Sequence, residues 1–166
     1  MHPYDKIVTE ITKLIGRKPR GFRAVEVFND SGDPSVIRVS SLVEKKPFPT
    51  LFWLVDRNLV YTIDQMEASG LIAKLQCRVD LNAKLQKAMW QDHQDHIHLR
   101  ESYFTDEEFA YLDTAGYVAI LRKRGIGGIS NPTRIRCLHT WYAAHLVKKN
   151  TIGTMLDEYI HSDRFF

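Results

Sequence analysis

The chain has 166 residues, of which 44% are hydrophobic and 26% are charged, and its formal net charge at pH 7 is +3. These proportions are typical of a globular protein, so residues 1–166 are expected to form a single domain. No apolar run approaches the roughly 20 residues that span a bilayer, which excludes a membrane span, and the modest net charge argues against nucleic-acid binding.

The N-terminal part of the chain predicts one helix followed by strands. Residues 4–15 place apolar side chains at helical spacing, and Gly16 ends this amphipathic helix. Three short runs rich in branched and aromatic residues follow at 24–28, 36–39 and 51–55. The turn sequences NDSGDP and KKPFP separate them, and we predict three antiparallel strands.

The next part of the chain has the pattern of helices. One helix carries Leu59 on its apolar face and ends at Gly70. A long helix is predicted to begin at Asp80 and to extend toward His98. A further helix begins at Thr105, because the sequence TDEE forms a capping box.

The last part of the chain is also predicted to be mostly helical. Residues 117–121 fit a helix or a strand, and we favour a helix that Gly125 follows as a C-terminal cap. A final helix is predicted to have Pro132 in its first turn and to end at Asn150. The fold class is therefore α+β, with a small antiparallel sheet of about three strands and a mostly helical C-terminal two-thirds.

The sequence GIGG before the final helix suggests an anion site. Gly125, Gly127 and Gly128 lead to a predicted helix N-terminus, whose free amides and dipole favour negative charge. Arg134 and Arg136 add guanidinium groups suited to phosphate. The loop matches neither the Walker motif nor the dinucleotide-binding motif. The alternative is that the glycines only make a tight connection between packed helices.

Cys137 and His139 are the candidate catalytic residues. His139 is suited to general acid–base chemistry, and Cys137 could ionise near the arginines. Residues two apart on a helix point in different directions, so the pair is not expected to share one small ion. The alternatives are a buried thiol and a core histidine.

The loop before the third strand, KKPFPT, is a candidate pocket rim. Two prolines make it rigid, and Pro49 and Thr50 lead into an aromatic strand that contains Trp53. Such a rim suits a ligand pocket or a protein contact. The alternative is a strand start with Trp53 in the core.

The sequence DHQDHIH holds the histidines that could bind a metal. His93, His96 and His98 lie near acidic residues at spacings of three or four. No second set of ligands with matching spacing accompanies them, and solvated histidines are the alternative. We therefore predict no metal and no cofactor.

Charge is unevenly distributed, and cysteine is scarce. Segment 92–113 holds seven acidic residues and one basic residue, whereas basic residues cluster in 17–23 and 122–136. This asymmetry suits an anionic ligand, unless the two kinds of segment neutralise each other within the fold. With two cysteines and no apolar signal sequence in the first residues, we expect a cytoplasmic protein.

Several motifs together resemble a bacterial family, the domain of unknown function 501. They are RKPRGFRAVEV, KKPFPTLFWLV, DQMEASGLI, GIGG, RIRCLHTWYAAHLV and NTIG, spread over roughly residues 17–153. The resemblance implies that the PFPT, GIGG and RCLH positions and His145 belong to the family motifs, and it makes His145 a candidate ligand-binding residue. Members often have a cysteine–proline pair where this chain has Val55-Asp-Arg57, so a shared thiol or zinc function is not carried over.

Two functional hypotheses follow. The first is that the protein binds a small ligand with a phosphate or carboxylate group. The binding site would lie where the glycine loop, the two arginines and His139 face the PFPT loop across a cleft. An enzyme that uses His139 and Cys137 is one form of this hypothesis, although no motif identifies an enzyme class. The second is a non-enzymatic protein-interaction module that uses the PFPT loop and the acidic segment.

Overall fold

The computed structural model describes residues 1–162 and has an α+β fold, as the sequence predicts. Three strands form one antiparallel sheet and two short strands form a second. The elements are α1 Pro3–Ile15, β1 Phe22–Phe28, β2 Pro34–Val39, β3 Leu42–Val43, β4 Lys46–Pro47, β5 Phe52–Leu54, α2 Arg57–Ala68, α3 Leu71–Asp80, α4 Ala83–Ser102, α5 Asp106–Thr114, α6 Tyr117–Leu121, α7 Leu138–Val147 and α8 Thr151–Ile160. A 3-10 turn covers Ile126–Gly128. Among the described residues, no helix has the length and apolar character needed to cross a membrane.

The three-stranded sheet has the order β1-β2-β5 and is antiparallel throughout. The turn between β1 and β2 forms where the sequence predicts it, because the Asn29 side chain accepts hydrogen bonds from the Ser31 and Asp33 amides. The central strand β2 is buried along almost its whole length, with Val36 and Ile37 fully excluded from solvent. The predicted set of three antiparallel strands is confirmed.

Helix α7 lies at the centre of the molecule. It packs against β5 on one side and against α8 on another. Trp141, Ala143 and Leu138 on this helix are fully buried. A helix that is apolar on all sides is stable only inside a core, and α7 satisfies this condition.

Some predicted helix termini are confirmed by their caps. Gly16 follows α1 in the left-handed conformation, with φ of 74°. Thr105 forms a complete capping box with Glu108 at the start of α5. The favoured helix over 117–121 is also present, as α6, but its C-cap is Arg122, so the predicted cap at Gly125 is wrong.

One predicted helix start is wrong. The long helix α4 begins after Asn82, whose side chain accepts hydrogen bonds from the Lys84 and Leu85 amides. Asp80, the predicted cap, is instead the last residue of α3. Helix α3 was not predicted from the sequence, because it follows α2 directly at Gly70 and has no side-chain cap of its own.

The predicted start of the last helix is also wrong. Helix α7 begins at Leu138 and has Cys137 as its N-cap, whereas residues 132–136 are not helical. The Gln76 side chain holds this segment by accepting from the Ile135 amide at 2.9 Å and donating to the Thr133 carbonyl at 2.8 Å. Such bonds replace those that a helix would supply.

The predicted end of that helix is wrong as well. Helix α7 ends at Val147, and Asn150 caps the start of α8 by accepting from the Gly153 amide. A capping asparagine thus marks the beginning of a further helix rather than the end of the previous one.

Candidate functional site

One cleft of the described structure has a volume of about 700 Å³. It lies where α1, the segment around β5, α2 and the first turn of α7 meet. Its lining includes Arg17, Phe48, Thr50, Trp53, Tyr61 and His139. Thr50 and His139, which were selected independently from the sequence, therefore share one cavity.

One wall of the cleft is aromatic and carries a cation. Phe48 and Trp53 pack edge to face with ring centroids 6.1 Å apart, and both are half-buried. The Arg17 guanidinium lies over the Trp53 ring, 5.2 Å from its centroid. Arg57 also lines the cleft and donates a hydrogen bond to the Lys13 carbonyl at the end of α1. Two guanidinium groups therefore border an apolar wall.

His139 and Asp64 also line the cleft, and Cys137 and Glu67 lie next to His139 just outside the lining. Asp64 and Glu67 lie three residues apart on α2 and so occupy the same helix face. The Asp64 Oδ1 atom is 2.9 Å from His139 Nε2, and the Glu67 Oε1 atom is 3.3 Å from His139 Nδ1. The Cys137 sulfur is 3.7 Å from the same Nδ1 atom. We call these four side chains the Cys–His cluster.

The expectation that Cys137 and His139 point apart is wrong. Cys137 precedes α7 and has an extended backbone, with φ of −148° and ψ of 118°, whereas His139 lies in the first turn. The helical spacing argument applies only when both residues are helical. Because the helix starts later than predicted, the two side chains meet.

The contact between Cys137 and His139 favours their charged forms. The Cys137 side chain raises the pKa of His139 to about 9, against the opposing effect of burial. Burial is the largest single effect and acts to raise the pKa of the Cys137 thiol, but the hydrogen bond and charge of His139 and a hydrogen bond from the Thr140 backbone together outweigh it, so the pKa lies below its ordinary value. The arrangement suits a thiolate beside an imidazolium, or a cation that replaces the imidazolium proton.

The histidines of α4 do not form the metal site that their spacing allows. His93 is buried and accepts a hydrogen bond from the Ile126 amide at 3.0 Å, and His96 packs edge to face against Phe52. His98 is exposed. Within residues 1–162, the side chains that lie close enough together to hold a metal ion are Glu67, Cys137 and His139, whose ligand atoms are within 4.8 Å of one another.

The glycine loop packs behind the cleft and does not line it. A Cβ atom on Gly125 would lie 2.1 Å from His93 Nδ1, and one on Gly127 would lie 2.6 Å from Thr140 Oγ1. A Cβ on Gly128 would lie 3.0 Å from Pro49. These glycines permit close packing, which is the structural alternative that the sequence left open.

The two arginines predicted to bind an anion lie elsewhere. Arg134 and Arg136 are exposed and line a shallow groove of about 310 Å³ that also includes Ser130 and Asn131. Neither residue lines the cleft of His139. Their predicted position on the first turns of a helix is wrong, because α7 begins only at Leu138.

Arg100, which no sequence motif indicates, holds the PFPT loop and the glycine loop together. Its side chain is fully buried. Its guanidinium donates to the carbonyl oxygens of Leu121, Arg124, Pro49 and Gly125 at 2.7–3.2 Å. The only sign in the sequence that Arg100 is buried is its helical spacing from apolar residues of α4. That spacing does not show that its partners are carbonyl oxygens of two distant loops.

His145, a candidate ligand-binding residue, is buried away from the cleft. Its Nδ1 atom accepts from the Asn150 amide at 3.1 Å, and its Nε2 atom is 2.8 Å from the Asp157 carboxylate. Tyr142 stacks on its ring and donates to the same carboxylate. These contacts join α7 to α8, which is a structural role.

Comparison with known proteins agrees with this arrangement. The model of one family, described as "Protein of unknown function (DUF501)", matches residues 25–158, a range that contains β5, α2, α7 and the whole Cys–His cluster. The comparison with curated proteins and the comparison with solved structures found no similar protein. The match covers most of the chain and bears out the resemblance seen in the motifs, so the chain belongs to the DUF501 family.

Proposed function

We propose that this is a cytoplasmic bacterial protein that binds a small ligand in the cleft between Trp53 and His139. The ligand carries a phosphate or carboxylate group on an apolar body. The observation that supports the proposal best is the Arg17 guanidinium over the Trp53 ring at the edge of the cleft. This pair offers an apolar surface and a positive charge at one place.

The size and lining of the cleft fit a small molecule. Ligand pockets have volumes of about 300–1,000 Å³ and are mostly apolar with a few polar groups, and the cleft falls within this range. Phe48 and Trp53 supply the aromatic surface, and Thr50 supplies a hydroxyl beside them.

The charges that border the cleft favour an anionic group. Arg17 and Arg57 contribute two permanent positive charges. Asp64 is the acidic residue of the lining, and it is paired with His139 at 2.9 Å. The uncompensated charge of the lining is therefore positive, and an anionic group is expected to lie toward the arginines.

The contrasting protein-interaction hypothesis loses one of its two supports. Acidic residues of segment 92–113 pair with bases inside the fold: Asp95 with Lys148, Glu101 with Arg122, and Glu108 with Arg23. The other support, the PFPT loop, borders the cleft itself. We therefore favour a small ligand. If the cleft is catalytic, Cys137 and His139 are the residues that would act.

Titration with three small probes tests the proposal. Phenyl phosphate and benzoate carry an anionic group on a ring, and benzyl alcohol lacks the charge. The chain has three tryptophans, and Trp90→Phe removes the half-exposed indole outside the cleft, so that fluorescence reports mainly on Trp53 and the buried Trp141. We expect saturable quenching by at least one anionic probe, and weaker binding of benzyl alcohol.

Matched arginine substitutions locate the binding site. Arg17→Ala is expected to weaken binding of the anionic probe by roughly tenfold or more, since a bond to a charged group contributes about 1.5–3 kcal/mol. Arg136→Ala removes an exposed arginine outside the cleft and is expected to leave the affinity unchanged. A loss with Arg136→Ala alone would place the anion at the groove near Ser130 and would contradict the proposal.

A further inference from the structure

Three side chains of the Cys–His cluster place possible metal-ligand atoms close together. Cys137 Sγ, His139 Nδ1 and a Glu67 carboxylate oxygen lie within 4.8 Å of one another. Each is a side-chain type that binds transition metals. The three come from two elements, α2 and the start of α7, so the arrangement depends on the tertiary fold.

The distances fit the edges of a metal tetrahedron. With bond lengths of about 2.3 Å to sulfur and about 2.0–2.1 Å to nitrogen or oxygen, the edges of a tetrahedral zinc site are about 3.5 Å and about 3.3 Å. The Nδ1–Sγ distance is 3.7 Å and the Nδ1–Oε1 distance is 3.3 Å. Both distances lie within about 0.2 Å of the expected edges, and the Cys137 sulfur and the Glu67 oxygen lie within 4.8 Å of each other.

Hydrogen bonding explains the same distances less well. A charge-assisted N–H···O bond is about 2.7–2.9 Å long. The Glu67 Oε1 atom lies 3.3 Å from His139 Nδ1, well outside that range, and Cys137 competes for the same ring nitrogen. One N–H group would have to serve two anionic acceptors, whereas a cation at the shared point satisfies all three atoms.

The surrounding hydrogen bonds hold the ligand atoms in place. Asp64 Oδ1 lies 2.9 Å from His139 Nε2, so that an Nε2–H donor leaves the Nδ1 lone pair free for a metal. Metal-bound histidines almost always have such a carboxylate or carbonyl partner on their second nitrogen. The Leu138 amide donates to Glu67 Oε1 at 2.7 Å and fixes this carboxylate.

We propose that Glu67, Cys137 and His139 bind one zinc ion beside the cleft, with Asp64 as the positioning residue for His139. A thiolate, an imidazole and a single carboxylate suit zinc better than magnesium or calcium, which take mainly oxygen ligands. Three protein ligands leave a fourth position, as in catalytic zinc sites. Because His139 and Asp64 line the cleft, a ligand in the cleft would lie close to that position.

The first test uses the metal alone, with no ligand for the cleft. Protein prepared without a histidine tag is analysed for bound metals, stripped with a chelator and titrated with Zn²⁺ and with Co²⁺. We expect one ion per chain and a thiolate-to-cobalt charge-transfer band. This outcome is independent of whether the cleft binds an anion, so the two proposals can fail separately.

Substitutions then identify the ligands. Cys137→Ser is expected to abolish the charge-transfer band, whereas Cys77→Ser, which removes the exposed cysteine of α3, should leave it unchanged. Asp64→Asn should lower Zn²⁺ affinity by 10–100-fold and keep the band, as expected for a positioning residue. Glu67→Gln should weaken binding without loss of the band.

The wild-type protein alone can overturn the proposal. If stripped wild-type protein binds neither Zn²⁺ nor Co²⁺ with one-to-one stoichiometry, the cluster is a thiolate–imidazolium pair. Bound Co²⁺ with no thiolate band would place the metal elsewhere. Equal loss of the band in Cys77→Ser and Cys137→Ser would also contradict the assignment.

Discussion

Arg100 shows how one buried charge can organise two loops. Its guanidinium has four carbonyl acceptors and no carboxylate partner among the hydrogen bonds of the described residues. Burial lowers the pKa of Arg100 to about 10, so the group is still protonated near neutral pH. The sequence could not reveal this role, because the acceptors are backbone oxygens 21 to 51 residues away.

Removal of this guanidinium should destabilise the fold strongly. We expect Arg100→Met to lower the free energy of unfolding by at least about 3 kcal/mol, since each buried acceptor left without a donor costs about 1–3 kcal/mol. Arg122→Met is the matched control, because Arg122 is exposed and a surface pair such as the one with Glu101 contributes little to stability. Urea unfolding measures both. Equal effects would show that the carbonyl contacts of Arg100 are not important for stability.

The buried histidine His93 predicts acid sensitivity. Burial lowers the pKa of His93 to about 4, below the ordinary value of 6.5. The unfolded chain therefore binds this proton more readily, and stability falls as pH drops from about 6.5 to about 4. Protonation of Nδ1 would also remove the hydrogen bond from the Ile126 amide.

A His93→Gln variant tests this contribution. The variant is expected to be less stable than the wild type at pH 7 and to lose less stability between about pH 6.5 and about pH 4.5. His96, whose pKa burial lowers to about 3, keeps its own contribution in both proteins. Denaturant unfolding at several pH values gives, for each protein, the slope of the free energy of unfolding against pH. Identical slopes would mean that His93 has the same pKa in the folded and the unfolded state, which would contradict the effect of burial.

At the scale of single elements, the glycine loop is a packing device. Gly125 has φ of −85°, a value open to any residue, so the ring of His93 alone excludes a side chain there. Gly16 differs, because it has φ of 74° and a Cβ atom added to it would meet no other atom within 4 Å. The two glycines are required for different physical reasons.

These two glycines provide a matched pair of alanine substitutions. Gly125→Ala is expected to cost about 3 kcal/mol or more through overpacking against His93. Gly16→Ala should cost only about 1–2 kcal/mol, the penalty for a left-handed alanine. Thermal or urea unfolding of both variants measures the two losses of stability. A smaller loss for Gly125→Ala than for Gly16→Ala would contradict the packing role of the loop.

The local sequence predicts some elements well and others poorly. The capping box at Thr105 and the turn after β1 depend on neighbours within a few residues, and both are confirmed. The start of α7 depends on Gln76, which is 59 residues from Ile135, and no local pattern reports such a contact. The error also hid the Cys–His cluster, because it placed Cys137 within a helix.

Glu67 and Asp64 are the cluster residues that were not predicted from the sequence. Their spacing of three on α2 is a visible signal of a shared helix face. That spacing alone does not indicate a functional site, because exposed acidic pairs are common on helices. Only the packing of α2 against α7 turns the pair toward His139.

At the scale of the whole molecule, the uneven charge of the sequence is partly neutralised by ion pairs of the fold. Acidic residues of segment 92–113 pair with Arg23, Arg122 and Lys148. Arg17 and Arg57 instead border the cleft. Charge, volume and aromatic surface therefore coincide at one place, and this coincidence is the basis of the proposed ligand site.

A crystal soaked with 4-bromobenzoate tests that site most directly, because the anomalous signal of bromine locates the apolar end of the probe. We expect the bromine in the cleft against Trp53 and the carboxylate toward Arg17 or Arg57. An ordered probe in the groove near Arg134 and Arg136, with an empty cleft, would contradict the account.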